Sequence, residues 1–514
     1  MQSAPDHTPV AQGQPDQQLH RVLGWRSGAF LTLTTILGVF TTVGYMIGLV
    51  GAWAVIAIWA VSMVVAIAQA VLYAELATMF PDTAGGVAAY THEALRRYTV
   101  FVGPVVTWGY WLGYSLIQAV TALILGNVIQ AEWFPHSTWQ LSVLSTHVGL
   151  GNFIGAAALL ATYLLNVFGI KIAARLTGVG VVIFSALTVL MVVAPFVTGT
   201  WSPHLLTWDL HSWRLALVLL YLAGYTTYAV EGATLFTPEY RRPASDTPKA
   251  LRVSGLVMLA AFVLVPLATT GAIGQKAIGA NPSGYAAQVF VKYFHGGSSL
   301  VTAVLVAGLV ATLIGCSAEA GRALLGIARE GLTVRQLDRI NRFGMPGRAL
   351  TMDVAVNLAV LFLVGNTVAI IAASNFGYIL CIALSCLAFV LLRRDRPAWP
   401  RPYRVRNVWI PAAICLFVFN LVIAVVGIAS PSLTGYGNGT DTVIALALLF
   451  VCIPLFLIRK LGQDREWPFR WREETAATPL ATAESATADP AAAVTPVPPP
   501  GHGRTEPVLQ PEEG

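Results

Sequence analysis

About twelve predominantly apolar stretches, each near the length that crosses a bilayer, run from Gly28 to Ile458, and almost every Lys and Arg sits in alternate gaps between them. At a rise of about 1.5 Å per residue, roughly twenty apolar residues cross a hydrocarbon layer of about 30 Å. The chain therefore reads as an all-α polytopic membrane protein. Its spans are predicted near Gly28–Val50, Gly51–Met79, Val100–Gln130, Asn152–Phe168, Leu176–Val197, Leu215–Thr237, Leu251–Ile273, Ser298–Ile327, Ala349–Val364, Val368–Leu392, Ile410–Ala429 and Thr442–Ile458. Several exceed the minimum crossing length, which implies tilt or interruption.

Composition excludes a soluble domain, since only 11% of the 514 residues are charged and 56% are hydrophobic, where soluble domains carry about a quarter charged residues. The net charge of +6 does not mark a nucleic-acid surface, because the basic residues track membrane sidedness. Arg96 and Arg97, Lys171 and Arg175, Arg241 to Arg252, Arg329 to Arg348 and Arg393 to Arg406 occupy one set of loops. The other set holds little beyond Arg214, Lys276 and Lys292. The positive-inside rule then places both termini in the cytoplasm of a multi-pass protein of the plasma or inner membrane, with the lipid bilayer as partner and no nucleic acid.

Residues 1–20 lack the apolar core of a signal peptide and read as a disordered cytoplasmic tail, residues 21–460 as the membrane domain, and residues 461–514, rich in Ala, Thr, Pro and Glu, as a second disordered tail. Cys316, Cys381, Cys386, Cys415 and Cys452 all fall in apolar stretches without ligand-like spacing and read as small core residues.

Two spans are interrupted. Gly38-Val39-Phe40 with Gly44 and Gly48 breaks the first, and Thr34, Thr35, Thr41 and Thr42 supply hydroxyls nearby. A helix that unwinds at mid-membrane frees amides and carbonyls for a substrate or ion, and is tolerated where it lines a cavity. Small residues four apart equally serve close helix packing. The sixth span repeats the pattern in Gly224-Tyr225-Thr226-Thr227-Tyr228, which runs into Glu231-Gly232. A carboxylate here costs at least about 2.5 kcal/mol, so Glu231 must face a cavity, a partner or a proton. A hydrogen bond to a neighbouring helix is the structural alternative. Glu319 lies three residues before Arg322, and an i,i+3 ion pair accounts for both. Tyr110, Tyr114 and Gln118 on the third span either line a pathway or pack between helices.

Several blocks, taken together, resemble the amino acid–polyamine–organocation transporter superfamily, in its bacterial amino acid permease type. These are Tyr73-Ala74-Glu75-Leu76 with Pro81, Gly85-Gly86 and Tyr90; Trp108, Trp111, Leu112 and Tyr114; Glu239-Tyr240-Arg241-Arg242-Pro243 through Asp246, Pro248-Lys249-Ala250-Leu251; Arg322 with Ala328-Arg329-Glu330-Gly331-Leu332; and Arg401-Pro402-Tyr403-Arg404-Val405. The resemblance implies a secondary transporter of leucine-transporter-like fold: a 5+5 inverted-repeat core with broken helices 1 and 6, plus two peripheral helices. The halves would cover about residues 28–197 and 215–392, and the extra helices 410–458. It implies a substrate site formed by Thr35, Leu37, Gly38, Val39, Phe40, Thr226, Thr227, Tyr228 and Glu231, with Tyr110 and Tyr114 alongside. No cofactor or metal follows from it. Its first-helix motif has a glycine where this chain has Ile36, which resists φ > 0 and crowds backbone approach. Two substrate classes therefore stay open, an amino acid and an amine lacking a carboxylate. Many proton-coupled members carry a lysine in the fifth helix, where this chain has Phe184 and Ser185. Coupling to H+ or to Na+ is thus open too, with Ser185, Ser317 and carbonyls near Leu37 as sodium ligands in the second case.

Other function classes fit less well. The chain has no GxSxG, and His92-Glu93 lacks the second histidine of HExxH, so an enzyme is not expected. A ligand sensor on the same fold would differ by failing to catalyse saturable uptake and exchange.

Overall fold

The computed structural model describes residues 19–467 except 144–145, 283–284, 295–297, 364–366 and 435–438; within helices and strands the side chains of 35, 37–42, 143, 146, 287, 291, 294, 298, 367–373, 431, 434, 439–441 and 445 are also left out. Most of both expected tails lies outside the described residues.

The described chain is almost entirely helical, with one two-stranded antiparallel hairpin pairing Gln140–Val143 with Thr146–Gly149 before the fourth span. Among the described residues, ten helices are long and apolar enough to cross a membrane. The two remaining predicted spans differ for local reasons. The ninth, Gly347–Leu363, is short at 17 residues, and the first is split into Trp25–Leu33, a 3₁₀ turn over Thr34–Leu37, and Gly38–Val50. The seventh span begins earlier than expected. Pro243, suited to a first helical turn, starts a helix to Ile273, so most of the block predicted as a loop is helical.

Large apolar side chains face outward on the fifth span (Val179, Val182, Val189) and the eleventh (Val418, Val425). Such faces would be anomalous against water and are what hydrocarbon requires. Of the five cysteines, four are buried and Cys415 is exposed on this outer surface. The third span, Val102–Trp133, is largely enclosed, packed by the fourth, eighth and tenth. Glycine allows close contacts here: a Cβ on Gly109 would stand 2.7 Å from Cα of Gly377 in the tenth span, Thr367–Asp395.

The blocks scattered along the sequence meet in space. Glu75, at the end of the second span, accepts from Arg393 Nε at 2.9 Å and Nη2 at 2.5 Å, lies 3.2 Å from Arg401 Nε, and accepts the Val405 amide at 2.8 Å. Glu239 receives Nε and Nη2 of Arg322, the latter at 3.0 Å. Glu239 also offers its carbonyl to the Leu23 amide at 2.9 Å, and Leu23 returns its own to Arg241 at 2.8 Å, pinning the start of the first span to the end of the sixth. Between the first two spans, Gly51 adopts φ +81°, which a side chain would strain and where a Cβ would meet the Thr207 carbonyl at 2.6 Å.

Candidate functional site

The sixth span is helical from Trp213 to Thr227, with Ser212 Oγ capping the Leu215 amide, and then tightens into a 3₁₀ helix over Tyr228–Glu239. Runs of 3₁₀ helix longer than three or four residues are uncommon and mark strain or a hinge. Here Gly232 and Pro238 weaken the ordinary α ladder. The whole segment is buried, and Glu231 stands at 1% exposure.

Three phenols surround that carboxylate. Tyr110 donates to Oε2 at 2.6 Å, Tyr114 to Oε1 at 2.5 Å, and Tyr378 to Oε1 at 3.0 Å. The first two distances fall in the range of charge-assisted O–H···O bonds. Tyr110 and Tyr114 sit one turn apart on the third span, so they share a face. Tyr378 follows Gly377, and the Gly109–Gly377 contact draws the two spans close enough for Tyr110 and Tyr378 to stack with ring centroids 5.9 Å apart. A further bond, from Tyr225 Oη to the Gly113 carbonyl at 2.8 Å, ties the sixth span to the third. Among the described residues no Lys, Arg or His forms an ion pair with Glu231. The cage thus holds the carboxylate by neutral donors alone.

The predicted Glu319–Arg322 pair is not formed. Arg322 turns its guanidinium to Glu239, and both oxygens of the fully buried Glu319 lack a hydrogen-bond partner. The eighth span rotates Glu319 instead toward the sixth, where a Cβ on Gly232 would lie 2.5 Å from its Oε1 and 3.0 Å from Tyr114 Oη. Two participants escaped the sequence reading. Tyr378 carried no local signal, since a lone tyrosine in an apolar span is unremarked. Asp353 in the ninth span did carry one, an acid inside an apolar run; it is buried and accepts from Gln118 Nε2 at 2.7 Å and Trp111 Nε1 at 3.2 Å.

The remaining predicted residues are divided. Thr35 and Leu37 lie in the 3₁₀ turn of the first span, and Gly38, Val39 and Phe40 begin the helix after it; the side chains of all five fall outside the described residues. Thr312 of the eighth span donates to the Thr34 carbonyl at 3.0 Å, and thus satisfies a group that the break sets free. Thr226 is half-buried at the end of the α-helical part. Thr227 turns away from Glu231 to Ser62 of the second span, at 2.6 Å between hydroxyls, and Tyr228 lays its ring beside Gly224. Of the sodium-ligand candidates, Ser317 is buried and Ser185 half-buried. No group of three or more His, Cys, Asp or Glu could hold a metal among the described residues.

The arrangement joins two broken spans through an eighth span that touches both, with one carboxylate held by hydroxyls and another held by nothing. Such a place can accept a cationic group or a proton without first breaking an ion pair.

Comparison with known proteins adds the wider context. The profile of a family described as amino acid permease matches residues 23–457. The chain is 26% identical to a probable polyamine transporter of Arabidopsis thaliana over 79% of its own length and 80% of that protein. It is 26% identical to a branched-chain amino acid permease of Bacillus subtilis over 69% of its length and 77% of the relative. An uncharacterized transporter of Legionella pneumophila is 25% identical, with 65% and 74% of the two chains aligned.

Proposed function

The chain belongs to the amino acid permease family of multi-pass membrane transporters, and from that premise we propose that it is a secondary active transporter moving amino acids across the cell membrane by alternating access, as a symporter or exchanger. Its halves, about residues 28–197 and 215–392, relate by inverted topology, both termini face the cytoplasm, and the substrate binds between the two breaks, near Thr35–Phe40 and Thr226–Glu231. The observation that carries this reading is the conjunction at Glu231: a helix that changes pitch, an acid without an ion pair, and three phenols from two other spans. A packing role alone would not call for an acid in that position.

A second reading is an amine without a carboxylate. It is favoured by Ile36, a buried branched residue at the first-span break where the resembled motif has glycine. The relative named as a probable polyamine transporter points the same way. Purified protein in liposomes, given radiolabelled amino acids and amines under imposed pH or sodium gradients, separates the readings. Saturable uptake of amino acids supports the first and uptake of amines alone the second. Binding without uptake or exchange would mean a sensor.

A further inference from the structure

We propose that Glu319 is a proton site of the transport cycle, connected to Glu231 through the hydroxyl of Tyr114. This rests on the transport reading above and deepens it, since the permease profile and the cage around Glu231 assign no coupling ion.

Glu319 is 0% exposed, and neither carboxylate oxygen has a hydrogen-bond partner among the described residues. A charged group left so in a dry interior is costly, so the position demands a cation. The arginine one turn along the same helix is unavailable, because its guanidinium is committed to Glu239 by two bonds and to the Ala318 carbonyl by a third at 2.7 Å. The groups facing Glu319 from the packed elements are Glu231 on the sixth span, Tyr114 on the third and Tyr240 beyond the sixth; Cys316 and Arg322 share its own helix, and Asp353 on the ninth faces Cys316. None of these supplies a free positive charge.

Three cations could fill that need. A metal ion on Glu319 would require several further oxygen ligands, and among the described residues no group of three His, Cys, Asp or Glu gathers there. A substrate ammonium requires room beside the carboxylate, yet the Gly232 backbone lies so close that a single added Cβ would meet Oε1 at 2.5 Å. A proton requires neither. It also has somewhere to go: the same point is 3.0 Å from Tyr114 Oη, whose own hydrogen is donated to Glu231 Oε1 at 2.5 Å. The phenol oxygen therefore keeps its lone pairs for a donor from the Glu319 side. When Glu319 passes its proton to Tyr114 Oη, the phenolic O–H already pointing at Glu231 breaks and a new one forms on Glu231. Glu319 is left as the carboxylate, Glu231 becomes the acid, and Tyr114 remains neutral. Since Tyr114 and Glu319 are not bonded in this structure, a shift of Tyr228–Glu239 against the eighth span would make or break the link, which is how proton movement would follow the change of access.

The test uses full-length protein in liposomes carrying a lumenal pH dye, with leucine or putrescine added outside and size-exclusion profiles as the check on folding. The parent should admit protons together with whichever probe it transports. Glu319→Gln should lower protons admitted per substrate at least tenfold, and Gly232→Ala, which puts a methyl between Glu319 and Tyr114, should lower it severalfold. Infrared difference spectra between acid and neutral pH should show a buried carboxyl band that vanishes in Glu319→Gln. If Glu319→Gln does not fold, Glu319→Asp should keep proton entry with a shifted pH midpoint, and an unshifted midpoint overturns the proposal. Unchanged proton entry in Glu319→Gln, or a band that survives it, also overturns the proposal. Loss of putrescine uptake alone, with leucine-linked proton entry intact, would reassign Glu319 to substrate. If the parent transports neither probe, the transport reading fails for those substrates, and the infrared band still decides the role of Glu319.

Discussion

Glu231 and Glu239 stand on the same 3₁₀ segment, are equally buried at 1% exposure, and are held in opposite ways. Glu239 meets the fork of Arg322, a permanently charged and planar partner that also bonds the backbone of its own helix. Glu231 meets three phenols, which can support a charge without supplying the opposite one. A buried ion pair is hard to open because each partner would be stranded in low dielectric. A carboxylate on neutral donors can gain or lose a cation while most of its bonds persist. The contrast separates a strut, which joins the end of the sixth span to the eighth, from a position that can change state. Glu75, between Arg393 and Arg401, belongs with the struts.

The sharpest way to break this contrast is to remove the cation from the strut. Arg322→Met should strand Glu239 and cost about 3–5 kcal/mol, seen as a large fall in the thermal midpoint of detergent-solubilised protein. Pairing it with Glu239→Gln should recover most of that loss. A single variant as stable as the parent would show that Glu239 needs no counter-charge and that the two acids do not differ.

Next in size is Glu231→Gln, which keeps volume and hydrogen-bonding capacity but cannot ionise. It should unfold within a few degrees of the parent while gradient-driven accumulation in liposomes drops at least tenfold. Accumulation equal to the parent at every pH would reduce Glu231 to a structural hydrogen-bonding group.

The cage itself should be graded. Tyr378 makes the longest of its three bonds, so Tyr378→Phe should cost about 1 kcal/mol and reduce initial uptake rates only severalfold, less than Tyr114→Phe. The reverse order would mean that contact with Tyr110 and Tyr114 is packing.

The smallest effect concerns the loop helix Gly86–Leu95, on the side of the struts. Burial, with Arg96 and Lys460 nearby, pushes His92 down to about 3 from an ordinary 6.5, although Glu330 lies 4.0 Å from its Nε2. Between those values the unfolded chain binds a proton that the folded one refuses, so stability falls as pH drops from about 6.5 towards 3 and is unaffected above that window. Thermal midpoints measured from pH 8 to 4 should decline at the acid end, and His92→Gln should flatten the decline. An equal slope in the variant would assign it to other groups.

How much of this was legible beforehand differs by residue. That the first and sixth spans are the broken ones was, because small and polar residues interrupt both apolar runs; the exact places were not, since the 3₁₀ turn of the first lies at Thr34–Leu37, just before Gly38, and that of the sixth begins at Tyr228. Glu231 stood out by its cost in hydrocarbon. The partner of Glu319 was not legible: i,i+3 spacing allows contact with Arg322 but does not reveal that a third residue on another span holds the arginine more favourably. Tyr378 and Asp353 became site or network members through helix rotation, which one span's sequence leaves undetermined.

By itself, then, the sequence determined a bundle of membrane-spanning helices and the two spans that are broken, with each break within a few residues of where it was expected. These follow from apolar length and from glycine, both of which act within one segment. Only the tertiary structure decided which acid meets guanidinium, which meets phenols and which meets nothing. Those outcomes depend on how closely neighbouring spans approach, at Gly109 against Gly377 and at Gly232 against Glu319, and on the rotation that each close approach imposes.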